Sequence, residues 1–319
     1  MSLAIVTTTN EGHILAADSM ETYKNAIGDV REGSQSRMKV FQLNKLVGAA
    51  VCGLSFLENH NIEQHLNKYL RENSLDGQTV QAIAEKIYDL FIEKYNNYIK
   101  EFADKKEQEL RSAGFSNVES SFELECVIVK YKDLSGRPAT AQFCQPLLDM
   151  LIAGYDPDGR SSVYKVTLPD LKEQNGISKK LDHGQSGATW IGQTDVLVRV
   201  IRGWSPEIKK IKTVNELAEL KRNEFISALD DQEYIINWAT MTLQDAIDFS
   251  NMGIKITENI QRITDGTWQF PGSSPGVGGP VDIAVITPEK GFVWIQKKLL
   301  KIGKSTINFD EFPPVIRVE

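Results

Sequence analysis

The stretch SLAIVTTTNEGHILAADSMET, residues 2–22, decides the architecture. Leu3, Ile5, Thr7 and Thr9 recur with a period of two, which reads as a β-strand from about Leu3 to Thr9. Asn10-Glu11-Gly12 supplies a turn, and His13 to Ala17 forms the return strand, ending at Asp18. The first strand therefore starts at the second residue. A free terminus usually frays because nothing pairs it or packs it down, so a terminus built directly into a sheet implies that something requires it to be held still.

Working outward, a polar stretch from Tyr23 to Ser36 precedes RMKVFQLNKLVGAAVCGLS, which reads as two further strands broken at Asn44-Lys45. In KVFQL the two-residue period places Lys39, Phe41 and Leu43 on one face, so Lys39 points with core residues. After Gly53 the pattern becomes helical. Ile62, His65, Leu66, Tyr69 and Leu70 keep helical spacing up to Asn73, and Val80 to Tyr98 mark a second helix from about Thr79 to beyond Phe102. FELECVIVKY, ATAQFCQ, LDMLIAGYD and SSVYKVTL form a second block of strands. Helical periodicity returns from Trp190 to about Met252, interrupted near Ser205-Pro206 and around Thr240 to Thr242. The loop DGTWQFPGSSPGVGG then leads into a closing hairpin, PVDIAVITPEKGFVWIQ. Strands, two helices, strands, helices and strands in that order predict an α+β fold: two antiparallel sheets face to face with helices outside, a four-layer αββα sandwich in one domain over 1–319.

The composition narrows the function. With 319 residues, 41% hydrophobic and 25% charged, the chain can bury a large core. A net charge of -7 offers no basic field for a phosphate backbone, so no nucleic-acid partner is expected. No stretch approaches the roughly 20 apolar residues of a membrane span, and no signal peptide opens the chain, which predicts a cytoplasmic protein with no membrane partner. Cys52, Cys126 and Cys144 lack metal-ligand spacing and each lies in an apolar run, so all three are expected to be buried and unpaired. No metal or cofactor is expected. In HNIEQH, His60 and His65 straddle a helix face poorly and have no third ligand. PGVGGP lacks the Lys-Ser/Thr ending of a phosphate loop and precedes a strand. KKEQELR and EIKKIKTVNELAELKR read as solvated helix faces.

SLAIVTTTNEGHILAADSMET, KVFQL, GAAVCG and GGPVDIAVITPEKGFV, in this order and with this spacing, resemble the proteasome β-subunit family and its bacterial relatives, which are N-terminal nucleophile hydrolases. LIAGYDPDGRSSVYKV is similar to the family's middle hairpin. The resemblance covers roughly residues 2–100, 147–202 and 240–300, leaving insertions at about 101–146 and 205–239. It implies a homo-oligomeric hydrolase acting on a peptide or other amide. By the same resemblance the nucleophile falls on Ser2 after removal of Met1, the structural aspartate on Asp18, the active-site lysine on Lys39 and the oxyanion-hole glycine on Gly53. Thr22 takes the place of a substrate-contacting threonine, and Met20 and Val51 border the specificity pocket.

The chemistry of these residue types agrees. A serine hydroxyl needs an adjacent base, which the α-amine of the same residue can supply. A lysine beside it lowers the amine's pKa by repulsion, an aspartate balances the buried ammonium, and a glycine amide can meet an oxyanion unobstructed. Two departures stand out. Gln193 occupies the place of a helper serine, and Ser274 that of a helper aspartate, with Asp195 and Asp265 the nearby carboxylates available as substitutes. Two other readings stay open: a catalytically inactive scaffold of the same fold, and a small-molecule amidase. In the bland reading Lys39 and Asp18 are a buried ion pair fixing strand register, Gly53 a turn residue, and Ser2 an ordinary second residue.

Overall fold

The opening hairpin forms where the alternation places it. In the computed structural model, β1 (Leu3–Thr8) and β2 (His13–Ala17) pair antiparallel, with Ala4 opposite Ala17 and Thr8 opposite His13. The described residues are 2–24, 30–123, 126–170, 176–267, 270–271, 275–302, 305–308 and 315–318. Every residue of both strands is buried, because each face of this sheet is covered. Leu3, Ile5, Ile14 and Ala16 face helices, while Ala4, Val6, Leu15 and Ala17 face a second sheet.

A small hairpin follows, β3 (Glu21–Lys24) and β4 (Val30–Ser34), within the stretch read as polar. Next come β5 (Val40–Gln42), β6 (Val47–Gly53) and a short ladder of β7 (Phe56–Leu57) with β8 (His60–Asn61). α1 (Ile62–Glu72) begins with a capping box between Asn61 and Gln64. α2 (Val80–Ser112) is capped by Thr79 and continues well beyond Phe102 into the first insertion. The rest of that insertion is a separate three-stranded sheet of β9 (Ser116–Glu123), β10 (Cys126–Lys132) and β11 (Pro138–Cys144). Cys52 and Cys126 are buried, but Cys144 is exposed, contrary to expectation, because it ends an edge strand of this outlying sheet.

β12 (Leu148–Tyr155), β13 (Ser161–Leu168) and β14 (Ile177–Leu181) complete the second main sheet, in the order β14-β13-β12-β6-β5. β15 (Gly187–Gly192) corrects the expectation of helix from Trp190. It pairs with β1 from Leu3–Gly192 to Thr8–Gly187, and helix starts only at α3 (Asp195–Arg202). The β-branched and aromatic run Thr189-Trp190-Ile191 suits a strand once β1 is there to pair with it. The second insertion holds a 3-10 turn (Pro206–Lys210), the single turn α4 (Lys212–Asn215) and α5 (Glu219–Asp230), which buries no residue.

α6 (Leu243–Ile263) runs past Met252, since Gly253 is a packing contact within the helix: a Cβ there would lie 2.9 Å from Ile5 Cδ1. After β16 (Gly266–Thr267) and β17 (Phe270–Pro271), the closing hairpin β18 (Asp282–Thr287) and β19 (Gly291–Gln296) completes the first sheet, ordered β15-β1-β2-β18-β19. β20 (Leu300–Ile302), β21 (Ser305–Asn308) and β22 (Val315–Val318) form a small terminal sheet.

Three apolar layers confirm the sandwich. Ala4, Val6, Ala50 and Leu151 meet between the sheets. Ile83, Ile87 and Phe91 of α2 pack on Met150 and Ile152, and Leu197 of α3 with Ile254 of α6 packs on Ile5 and Ile14. Among the described residues no helix is long and apolar enough to cross a membrane.

Candidate active site

Backbone bonds clamp the start of β1 on both edges. Gln193 N donates to Ser2 O at 2.7 Å, and Asp18 N donates to Leu3 O at 3.2 Å. Leu3 N in turn donates to Asp18 Oδ1 at 3.0 Å. The Gln193 side of the clamp needs glycine at 192, which has φ +92° and where a Cβ would lie only 2.0 Å from Ser2 O. Ser2 is thereby buried, at 4% exposure.

Asp18 is fully buried, and its carboxylate collects donors from four places. Oδ1 accepts from Leu3 N at 3.0 Å and Lys39 Nζ at 2.9 Å; Oδ2 accepts from Met20 N at 3.0 Å and Gly278 N at 3.1 Å. Lys39 also donates to Met20 O at 2.5 Å and is 5% exposed. A buried ion pair is tolerated when further hydrogen bonds satisfy it, and this one has them.

Ser2, Lys39, Phe41, Val51, Gly53 and Ile62 line a cleft whose room for a water-sized sphere is about 20 Å³. A volume of that order holds a water. Cys52 lies in the same wall, its thiol pushed far above the ordinary range, chiefly by burial. Gly53 has φ +99°, and a Cβ on it would meet Leu147 O at 2.0 Å. Its amide direction follows from strand geometry. Val51 N donates to Lys39 O at 2.8 Å, toward β5, while Leu54 N donates to Leu147 O at 2.8 Å, toward β12. Amides two apart on a strand share a direction, so Gly53 N points to the β5 side. On that side Arg37 N donates to Ser19 O at 3.0 Å. At the rim, Arg37 holds Glu21 through Nε at 2.9 Å and Nη2 at 2.6 Å.

Of the residues singled out in the sequence, Ser2, Lys39, Val51 and Gly53 share this cleft, with Asp18 directly behind Lys39. Met20 and Thr22 are not among the lining residues. The Met20 side chain lies against Gly278, where a Cβ would stand 2.6 Å from its Cε, and Met20 serves Lys39 through its carbonyl. Thr22 sits half-buried on β3 opposite Glu32. Gln193 Oε1 accepts from Gln261 Nε2 at 3.1 Å, and Gln261 Oε1 accepts from Gly276 N at 3.0 Å and Val277 N at 3.1 Å, a relay that sequence reading missed. Ser274 lies outside the described residues. Asp195 and Asp265 are exposed, and neither lines the cleft. Among the described residues no group of three His, Cys, Asp or Glu could hold a metal ion.

Two five-stranded antiparallel sheets between helical layers, with a serine, a lysine and a glycine amide gathered where the first strand begins, define an αββα sandwich of α+β class. No family model matches the chain, and no curated protein does. Among solved structures it is similar to Anbu (ancestral beta-subunit) from Yersinia bercovieri, with 10% identity and a TM-score of 0.47 over 93% of this chain and 88% of that one.

Proposed function

We propose that the chain is an N-terminal nucleophile amidohydrolase, acting on peptide or other amide bonds through Ser2 once Met1 has been removed, and working as a homo-oligomer. The observation that carries the reading is the convergence of Ser2, the Asp18-bound Lys39 and the cleft-facing Gly53 amide on one wall. The sequence resemblance supports the same roles.

Ser2 Oγ attacks the amide carbon as the Ser2 α-amine takes the hydroxyl proton. That amine has an unperturbed pKa of about 7.7 to 8.0, and the Lys39 charge favours its neutral form. The resulting oxyanion receives the Gly53 N–H, a contact of a kind typically worth about 3 to 4 kcal/mol. Collapse breaks the C–N bond, the leaving amine takes the proton from the α-ammonium, and an ester on Ser2 remains. Water, deprotonated by the same amine, then cleaves the ester. Val51, Phe41 and Ile62 give the cleft an apolar wall for the substrate's acyl side.

A second reading, an inactive scaffold of the same fold, is favoured by Gln193, whose Oε1 is taken by Gln261 at the place of a helper hydroxyl. Intact mass before and after exposure to a β-lactone separates the two, with Ser2→Ala as control. Loss of Met1 and one adduct that requires Ser2 supports the hydrolase; a retained Met1, or no adduct without it, refutes it.

A further inference from the structure

A second aspartate–lysine pair stands beside the first. Asp282 opens β18 opposite Ala17, the residue before Asp18, and is fully buried. Paired residues share a face, and Ala17 faces the space between the sheets, so Asp282 faces it too. Its Oδ1 accepts from the backbone amide of Lys298 at 3.0 Å, and the Lys298 ammonium lies against Oδ2. The Lys298 side chain is 8% exposed. Two residues earlier, Gln296 Nε2 donates to Val281 O at 2.7 Å. The segment after β19 is thus fastened at the end of the sheet where Lys39 meets Asp18.

A clamp needed only to hold the chain end gains nothing from standing near another ammonium, since like charges in a buried region repel. Here burial, and after it the charge of Lys39, push the Lys298 ammonium down to about 7, with Asp18 and Glu63 acting the other way. The Asp282 carboxylate in contact also favours the charged form.

We propose that Lys298 is a positioning residue of the Ser2 site: held by Asp282, its ammonium adds to that of Lys39 in setting the field at the start of β1. The inference rests on the Ser2 reading. Around that point the charged groups are the Asp18–Lys39 and Asp282–Lys298 pairs, Glu63 of α1, the Arg37–Glu21 pair at the rim, the Lys255–Glu258 pair of α6 beside Gly278 and Gly279, and on β12 and β13 the Asp149–Lys165 pair at 3.0 Å. A second cation there disfavours protonation of the Ser2 α-amine and keeps more of it neutral at a given pH.

The test is the pH profile of β-lactone acylation of Ser2, followed by intact mass in the full chain, for wild type, Lys298→Met, Lys298→Gln and Lys298→Arg. Removing the charge in the Met or Gln variant is expected to move the acidic limb up by about one pH unit, the scale of a nearby unit charge in a partly screened cleft; Arg leaves it in place. The Gln variant retains a donor for Asp282. A limb that stays put in whichever neutral variant folds overturns the inference alone. Loss of the fold in both neutral variants with Arg intact also overturns it, by assigning the pair to chain fastening. Absence of an adduct in wild type overturns the Ser2 reading, and this inference with it.

Discussion

Removing Asp18 and removing Lys39 delete the same ion pair, yet the structure predicts very different costs. Asp18→Ala strips the acceptor from Leu3 N, Gly278 N and Lys39 Nζ at once, leaves Met20 N with its bond to Gly278 O, and leaves a lysine that is 5% exposed with Met20 O as its remaining acceptor. Stranding one member of a buried pair costs about 3–5 kcal/mol, and each buried amide left without a partner about 1–3 more. Even with local relaxation the total is about 6 kcal/mol, comparable with the whole stability of many domains. Lys39→Met removes only the ammonium. Asp18 keeps three amide donors, so the expected loss is about 1–3 kcal/mol. Urea unfolding at pH 7, read by tryptophan fluorescence, should therefore show a small midpoint shift for Lys39→Met and a collapsed or unfolded Asp18→Ala. Equal shifts, or a less stable Lys39→Met, would refute the view that Asp18 is first a fold organiser and only then a partner for the lysine.

Gly192→Ala would place a Cβ 2.0 Å from Ser2 O at φ +92°; acylation of Ser2 should fall about 100-fold, the scale of a 1 Å misplacement, and a wild-type rate would contradict the clamp. Gly253→Leu drives a side chain into Ile5 and Leu197, which lie 2.9 and 3.2 Å from a bare Cβ; the cost in urea unfolding should reach at least about 1–3 kcal/mol. His13 is fully buried, and burial lowers its pKa to about 4. Below about 6.5 the unfolded chain takes a proton that the folded chain refuses, so this group's contribution falls as pH drops from 6.5 to 4, by about 3 kcal/mol in all. His13→Gln should flatten that part of the stability–pH curve, and an unchanged slope would assign the acid sensitivity elsewhere.

What could be read in the sequence is what short-range pattern carries. The β1–β2 hairpin, the β5–β6 pair, the α1 and α2 helices and the inward Lys39 all follow from periodicity within about 20 residues. What could not be read depends on distant pairing. β15 is a strand because β1 lies beside it, although its partners stand 179 to 189 residues earlier, from Thr8 opposite Gly187 to Leu3 opposite Gly192. Gly278 N reaches Asp18 from 260 residues away, and Lys298 reaches Asp282 across the β18–β19 turn. The Met20 side chain turned to Gly278 for the same reason, since no local pattern announces that neighbour.

This division also weighs the functional argument. Asp18 ties Leu3, Met20, Lys39 and Gly278 together, and a silent scaffold would keep it for that alone. Lys39 would be kept to balance it. Gly53 is required by φ +99° and by Leu147 O, whatever its amide does. Three of the four residues assigned to catalysis thus have a structural use that explains their presence. The backbone of Ser2 is fixed by Gln193 and would be fixed equally with alanine at that position. The hydroxyl is the atom that the proposed acylation cannot do without, so Ser2→Ala should abolish the adduct, and a urea midpoint that holds while the adduct is lost would separate its chemical role from a structural one. A midpoint that falls with the adduct would return Ser2 to the structural residues and leave the hydrolase reading without its one discriminating atom.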